Sequence, residues 1–163
     1  MARLFLAVWP PPEIIERIAA LPRREQPSVR WLRASNWHVT LRFFGEAEEV
    51  DVAARLDDAE LVPAQATVGP AVAWLGPGVV VVPVDGLGTL AGAVGDLTAD
   101  VGKPPPRRRF HGHVTIARLR TGARCDLVGT PISGGFAVSE VLLVRSTLHP
   151  AGARYEVVRR WAL

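Results

Sequence analysis

The chain has 163 residues, 48% of them hydrophobic and 21% charged, which is enough apolar material for a packed core and rules out a disordered segment. Its formal charge is only +3, yet nearly every cation is Arg and the isoelectric point is about 10.0, a balance that suits an anionic partner. The one cysteine, Cys125, excludes an internal disulfide framework and a Cys-rich zinc module.

Arg3–Trp9 is rich in Phe, Leu and Val and reads as an opening strand, stopped by Pro10-Pro11-Pro12. That run is too short for a signal segment, and Val79–Val82 is far below membrane-spanning length, so the chain reads as soluble and cytoplasmic. The prolines open a helix with Ile14, Ile15, Ile18 and Leu21 at helical spacing, ended by Pro22. Val29–Leu32 is a short strand and Trp37–Phe43 a stronger one, which Gly45 is expected to break. Glu46, Glu48 and Glu49 then open a second helix whose apolar side is Val50, Ala53, Ala54 and Leu61. Thr67–Leu75 and Val79–Val84 are strands joined through Gly76-Pro77-Gly78. Leu87–Val101 is a small-residue helix, and Lys103–Arg109 a stiff basic loop. His113–Leu119 is a strand, and after an irregular stretch come Val138–Ser146 and Tyr155–Trp161. The strand bearing His recurs at a similar place in each half, a pseudo-duplication.

The informative feature is a repeated tetrapeptide, His38-Val-Thr-Leu41 and His113-Val-Thr-Ile116, in a chain with four histidines. Residues i and i+2 of a strand project to one face, about 6.5 Å apart along it. His38 and Thr40 therefore share a face while Val39 and Leu41 enter the core, and His113 with Thr115 does the same. A single copy is ordinarily a surface pair; two copies offer two imidazoles and two hydroxyls that converge if the strands face one cleft. Such a set suits a phosphodiester, with one His as base, the other as acid, and hydroxyls on the phosphoryl oxygens. The chemistry asks for no metal.

These residues resemble the two-histidine phosphoesterase superfamily, and within it the RNA 2′,3′-cyclic phosphodiesterases, also called 2′-5′ RNA ligases. The likeness extends through Arg3–Pro10, Trp37–Glu46, Phe110–Arg118 and Ser146–Tyr155 before Trp161. It implies an α+β fold over residues 1–163, a single bilobal domain. Antiparallel sheets from two pseudo-symmetric lobes would line a central cleft, with helices outside and one motif from each lobe. It also implies opening of an RNA 2′,3′-cyclic phosphate to a 2′-phosphomonoester, without a cofactor. His38 would be the general acid at the departing 3′ oxygen and His113 the general base on water. Thr40 and Thr115 would hold the phosphate, Arg118 would bind phosphate, and Phe43 would stack near the base. An offset of five places Arg118 and Phe43 on the wrong face of a regular strand, so each requires a twist or bulge. Gly112 departs from the family, where proline precedes the second motif.

Arg42 shares the strand parity of His38 and Thr40 and is expected to project into the cleft. Arg107-Arg108-Arg109 is either a clamp on an RNA backbone or a solvated loop. His111-Gly-His113 has two-imidazole metal spacing but no acidic or thiol neighbour to complete a site. His149 sits in a turn, exposed or on the rim. Gly86-Leu-Gly88 follows a strand and opens a helix like a dinucleotide fingerprint, but no acidic residue follows at the required distance. The expected partner is RNA with a cyclic phosphate end, such as a tRNA fragment or short oligonucleotide, bound by a monomer away from any membrane. Reversible 2′-5′ ligation, hydrolysis of a small cyclic nucleotide and a noncatalytic RNA-binding module are the alternatives.

Overall fold

Ten strands form one curled, mixed-length sheet in the computed structural model, which describes residues 1–163. In chain order the elements are β1 (Ala2–Val8), α1 (Pro12–Ala19), β2 (Val29–Trp31), a 3-10 turn (Ala34–Asn36), β3 (Val39–Ala47), α2 (Glu49–Leu56), β4 (Ala64–Val68), β5 (Ala73–Trp74), β6 (Val79–Asp85), α3 (Gly88–Leu97), β7 (His113–Leu119), β8 (Gly134–Val138), β9 (Glu140–Thr147) and β10 (Arg154–Ala162). All pairings are antiparallel, in the order β10-β9-β1-β3-β7-β6-β4-β8, with β2 beside β7 and β5 beside β6. The architecture is α+β and has the two-lobed arrangement expected.

The sheet is two four-stranded halves joined at a seam. β10-β9-β1-β3 and β7-β6-β4-β8 meet through a single partnered position, Val39 opposite Val114. That one bridge lets the halves splay apart beyond it, which opens the concave face. The helices fill the convex face, with α3 against β3 and α1 against β8. Thus each half's helix packs on a strand of the other half, and a single cluster of 35 buried residues runs across both. Leu4, Leu6, Phe44, Val80, Val82, Val114 and Ile116 are almost wholly buried within it, each worth on the order of 1.5–3 kcal/mol in burial. A separate cluster of Phe5, Ala7, Leu142 and Val144 lies on the β1/β9 surface, with Trp9, Phe43 and Tyr155 packed against it.

Several boundaries differ from the sequence reading, for local reasons. Gly45 does not end the strand; it sits inside β3 at φ 68, beside a bulge where Leu4 pairs Gly45 but Phe5 pairs Phe43. The glycine absorbs the bulge, and β3 runs on to Ala47. The next helix therefore starts at Glu49, so its buried face is Val52 and Leu56 while Val50 is 71% exposed. The expected Thr67–Leu75 strand is split by Gly69-Pro70, since proline gives no ladder donor; β4 lies upstream, and beyond it Ala73–Trp74 pairs β6 while Ala71 makes an isolated bridge to Pro131. β8 falls in the stretch read as irregular. Its two glycines hide a strand that pairs the edge of β4.

Candidate active site

The seam positions the motifs. With Val39 opposite Val114, one step either way sets His38 across from Thr115 and Thr40 across from His113. Val39 and Val114, both 0% exposed, anchor the strands in the core from the opposite face. The cleft above them has a volume of about 1130 Å³ and is lined by His38, Thr40, Phe43, His113, Thr115 and Arg118 among others.

Both offsets of five are produced by bulges. On β3, Leu6 pairs Arg42 and Ala7 pairs Thr40, leaving Leu41 unpartnered; on β7, Val80 pairs Ala117 and Val81 pairs Thr115, leaving Ile116 unpartnered. One extra residue inverts the parity that follows. Phe43 and Arg118 return to the cleft face, and the residues before them turn into the core. Arg42 is one of those, which corrects its expected place in the cleft: it is 3% exposed. Its guanidinium donates to the carbonyls of Phe43, Val101 and Lys103 at 2.7, 3.0 and 2.6 Å, and more weakly to Thr98 at 3.4 Å. Arg42 ties the end of α3 and the following turn to β3 from the core side and does not line the cleft.

The two imidazoles are oriented by the same device. Nδ1 of His38 lies 2.8 Å from the Asn36 carbonyl, and Nδ1 of His113 lies 2.7 Å from the His111 carbonyl. A carbonyl only accepts, so each Nδ1 carries the proton and each Nε2 is turned toward the cleft. Nε2 of His38 is 3.1 Å from Thr40 Oγ1.

Their surroundings differ. The His38 ring is stacked between Phe5 and Trp9, with centroids at 4.9 Å on both sides, and meets the edge of Tyr155 at 5.2 Å. Burial pushes its pKa from 6.5 to about 4; the Asn36 hydrogen bond opposes the shift and repulsion from His113 adds to it. His113 is half-buried. Burial also raises the Tyr155 phenol, against the pull of Arg118 and Arg3, so it stays protonated.

Charge in the cleft is almost all positive. Arg3, Arg30, Arg33, Arg118, Arg154 and Arg160 line it, and the sole acidic residue there, Glu140, is taken by Arg160 at 2.9 Å. Arg3 and Lys103 stand over the Phe43 ring at 5.2 and 5.8 Å. His149 is on the rim, with Nδ1 accepting from the Ala151 amide at 3.2 Å. Arg107, Arg108, Arg109 and His111 do not line the cleft. No three His, Cys, Asp or Glu side chains are grouped as a metal would require. The sequence reading missed Phe5, Trp9 and Tyr155. Arg3, Phe5 and Trp9 do share strand parity, a signal that the clean apolar run of β1 conceals.

The sequence model for LigT-like phosphoesterases matches residues 8–81. An Escherichia coli K12 protein, RNA 2′,3′-cyclic phosphodiesterase, is 32% identical over 171 aligned residues, covering 99% of this chain and 96% of the relative. The chain belongs to the LigT-like phosphoesterase family. Solved LigT-like folds superpose end to end. E. coli LigT complexed with 3′-AMP has a TM-score of 0.80 at 28% identity, covering 99% of this chain and 98% of that one. A protein of Thermus thermophilus has a TM-score of 0.84 at 25% identity, with 99% and 97% covered. No helix is long and apolar enough to cross a membrane.

Proposed function

We propose that this LigT-like enzyme hydrolyses RNA 2′,3′-cyclic phosphate termini to 2′-phosphomonoesters, using His38 and His113 as its proton-transfer pair. The observation that carries the reading is the matched orientation of two imidazoles across the seam, each with Nδ1 on a carbonyl and Nε2 in an arginine-lined cleft. The E. coli relative named for this activity supports the substrate class.

In the reaction, His113 Nε2 removes a proton from water as its oxygen bonds to phosphorus. The bond from phosphorus to the 3′ oxygen breaks, and protonated His38 Nε2 delivers a proton to that oxygen. The product carries a 3′ hydroxyl and a 2′-phosphate, and the two imidazoles end with their protonation states exchanged. Thr40, Thr115 and Arg118 stabilise the charge on the non-bridging oxygens, and Phe43 stacks on the terminal base. His38 is neutral in the empty cleft; a phosphate anion at Nε2 favours the charged imidazole and restores the proton the acid must give. The unit is one bilobal domain spanning residues 1–163, and since both motifs come from one chain, a monomer in the cytoplasm holds a complete site. Short oligoribonucleotides and tRNA fragments with cyclic ends are the intended substrates.

The test is incubation in EDTA with a short RNA ending in a 2′,3′-cyclic phosphate, beside His38→Ala and His113→Ala. Turnover to a 2′-phosphate by wild type, lowered at least about 10²-fold in each variant, is expected. Bound but unturned RNA would favour a ligase or a binding module instead.

A further inference from the structure

A second depression adjoins the cleft, with a volume of about 380 Å³, lined by Ser28, Val29, Arg30, Arg118, Leu119 and Arg120. Only Arg30 and Arg118 belong to both hollows, so they form the saddle between them. We propose that this groove holds the phosphate on the 5′ side of the terminal nucleotide, through Arg30 and Arg120, making the enzyme selective for a chain over a mononucleoside cyclic phosphate. The inference rests on the phosphodiesterase reading above.

Three observations carry it. Arg30 and Arg118 are direct cross-strand partners in the β2–β7 register, a like-charge pairing that is unfavourable unless an anion lies between or beside them. None of Arg30, Arg118 or Arg120 has an acidic partner, whereas Arg55, Arg145, Arg159 and Arg160 are all paired. These three cations are therefore left available to a ligand.

The second observation is reach. Across the bulge Arg118 lies two partner positions from Thr115, opposite Val79 where Thr115 is opposite Val81, roughly 6.6 Å along the strand, and Arg120 lies two residues further. A row of cations running away from the reacting phosphate matches a strand's backbone and exceeds the extent of a single cyclic nucleotide.

The third is local backbone and packing. Ser28, at the head of the groove, is the one non-glycine residue with positive φ, at 70°. At the cleft mouth, a Cβ on Gly152 would stand 2.6 Å from Arg30 Nη2, so the glycine leaves the guanidinium its place over the saddle. Asn36 Nδ2 donates to the Ala153 carbonyl at 3.1 Å and holds that turn against the rim.

The experiment compares three substrates: adenosine 2′,3′-cyclic phosphate, the dinucleotide ApA with a terminal cyclic phosphate, and the same dinucleotide with an uncharged methylphosphonate linkage. Wild type should prefer the diester dinucleotide in kcat/KM over both others by on the order of tenfold or more. Arg30→Gln and Arg120→Gln should shrink that preference, and the salt slope for the diester should fall by about 0.7 per contact removed. Equal turnover of the diester and methylphosphonate dinucleotides by wild type would overturn the proposal without reference to any variant, as would a preference that survives both substitutions. If wild type turned over none of the three, the phosphodiesterase reading would fall. Calorimetric binding of the two dinucleotides ending in 2′-phosphate would then decide the groove by itself.

Discussion

Opening the aromatic sandwich around His38 should raise its pKa, because burial is the largest cause of the depression. The fall from 6.5 to about 4 corresponds to about 3 kcal/mol in favour of the neutral ring, so at pH 7 only on the order of one free molecule in a thousand carries the His38 proton. Trp9→Ala removes one of the two stacked walls and lets water reach the imidazole. A recovery of about one unit, or roughly tenfold more protonated His38 at neutral pH, is expected. The assay is an NMR titration of the four imidazoles, with His38→Gln assigning the resonance. In rate measurements, kcat/KM of wild type should show a limb near pH 4 belonging to the free enzyme, and kcat should show that limb moved upward in the complex. A His38 resonance titrating near 6.5 in the empty wild-type cleft would refute the reasoning, as would one unmoved by Trp9→Ala. The same shift has a sign for stability. The unfolded chain binds the proton more tightly, so the contribution is whole above pH 6.5 and is lost as pH falls toward 4. Urea midpoints across that window should fall more steeply in wild type than in His38→Gln.

Arg42→Met should destabilise by about 2–4 kcal/mol in urea unfolding, because the Phe43, Val101 and Lys103 carbonyls lose their donor; a variant as stable as wild type would remove Arg42 as the clamp. Gly112→Pro should harm the enzyme, since a Cβ there would lie 2.2 Å from the Val84 carbonyl oxygen, and Gly112 and Val84 are hydrogen-bonded at 2.9 Å. A fall in Tm together with at least about tenfold lower kcat is expected from the displaced His113; wild-type values for both would show that β6 yields. Thr115→Val, which removes a hydroxyl at nearly constant shape, should lower kcat/KM by about 10–100-fold while leaving the urea midpoint close to wild type.

The motif strands were legible because they carry two signals at once, residue type and parity. His113–Leu119 was bounded correctly from sequence, and four of the cleft residues follow from the alternation of His and Thr with Val. What parity cannot register is a bulge. Leu41 and Ile116 are displaced by their pairing with β1 and β6, strands remote in sequence, so no pattern within Arg42 and its neighbours announces that its face has inverted. Phe43 and Arg118 needed the family likeness to be named, and the registers to be explained. The same limit hid the enclosure of His38. Phe5 and Trp9 come from β1 and its end, while Tyr155 comes from β10 near the other end of the chain, and only the folded sheet brings all three to one ring. The saddle of Arg30 on Arg118 is likewise a product of strand pairing.

The duplicated bulge also explains how a pseudo-symmetric fold yields a site with direction. In each half the chain runs His to the cleft, Val to the core, Thr to the cleft, two residues to the core, then one more to the cleft. The backbone therefore offers two equivalent sixth positions, and the sequence fills them differently, with Phe43 in one half and Arg118 in the other. One half thus presents an aromatic ring, with Arg3 and Lys103 over it, and the other presents a guanidinium. The imidazoles differ too: aromatic rings stack on His38, while His113 is half-buried at the matched position. The two side chains share an Nδ1 orientation but not an enclosure, and burial among the rings lowers the His38 pKa to about 4. The chemical asymmetry comes from the residues at matched positions; the repeated strand geometry makes those positions available.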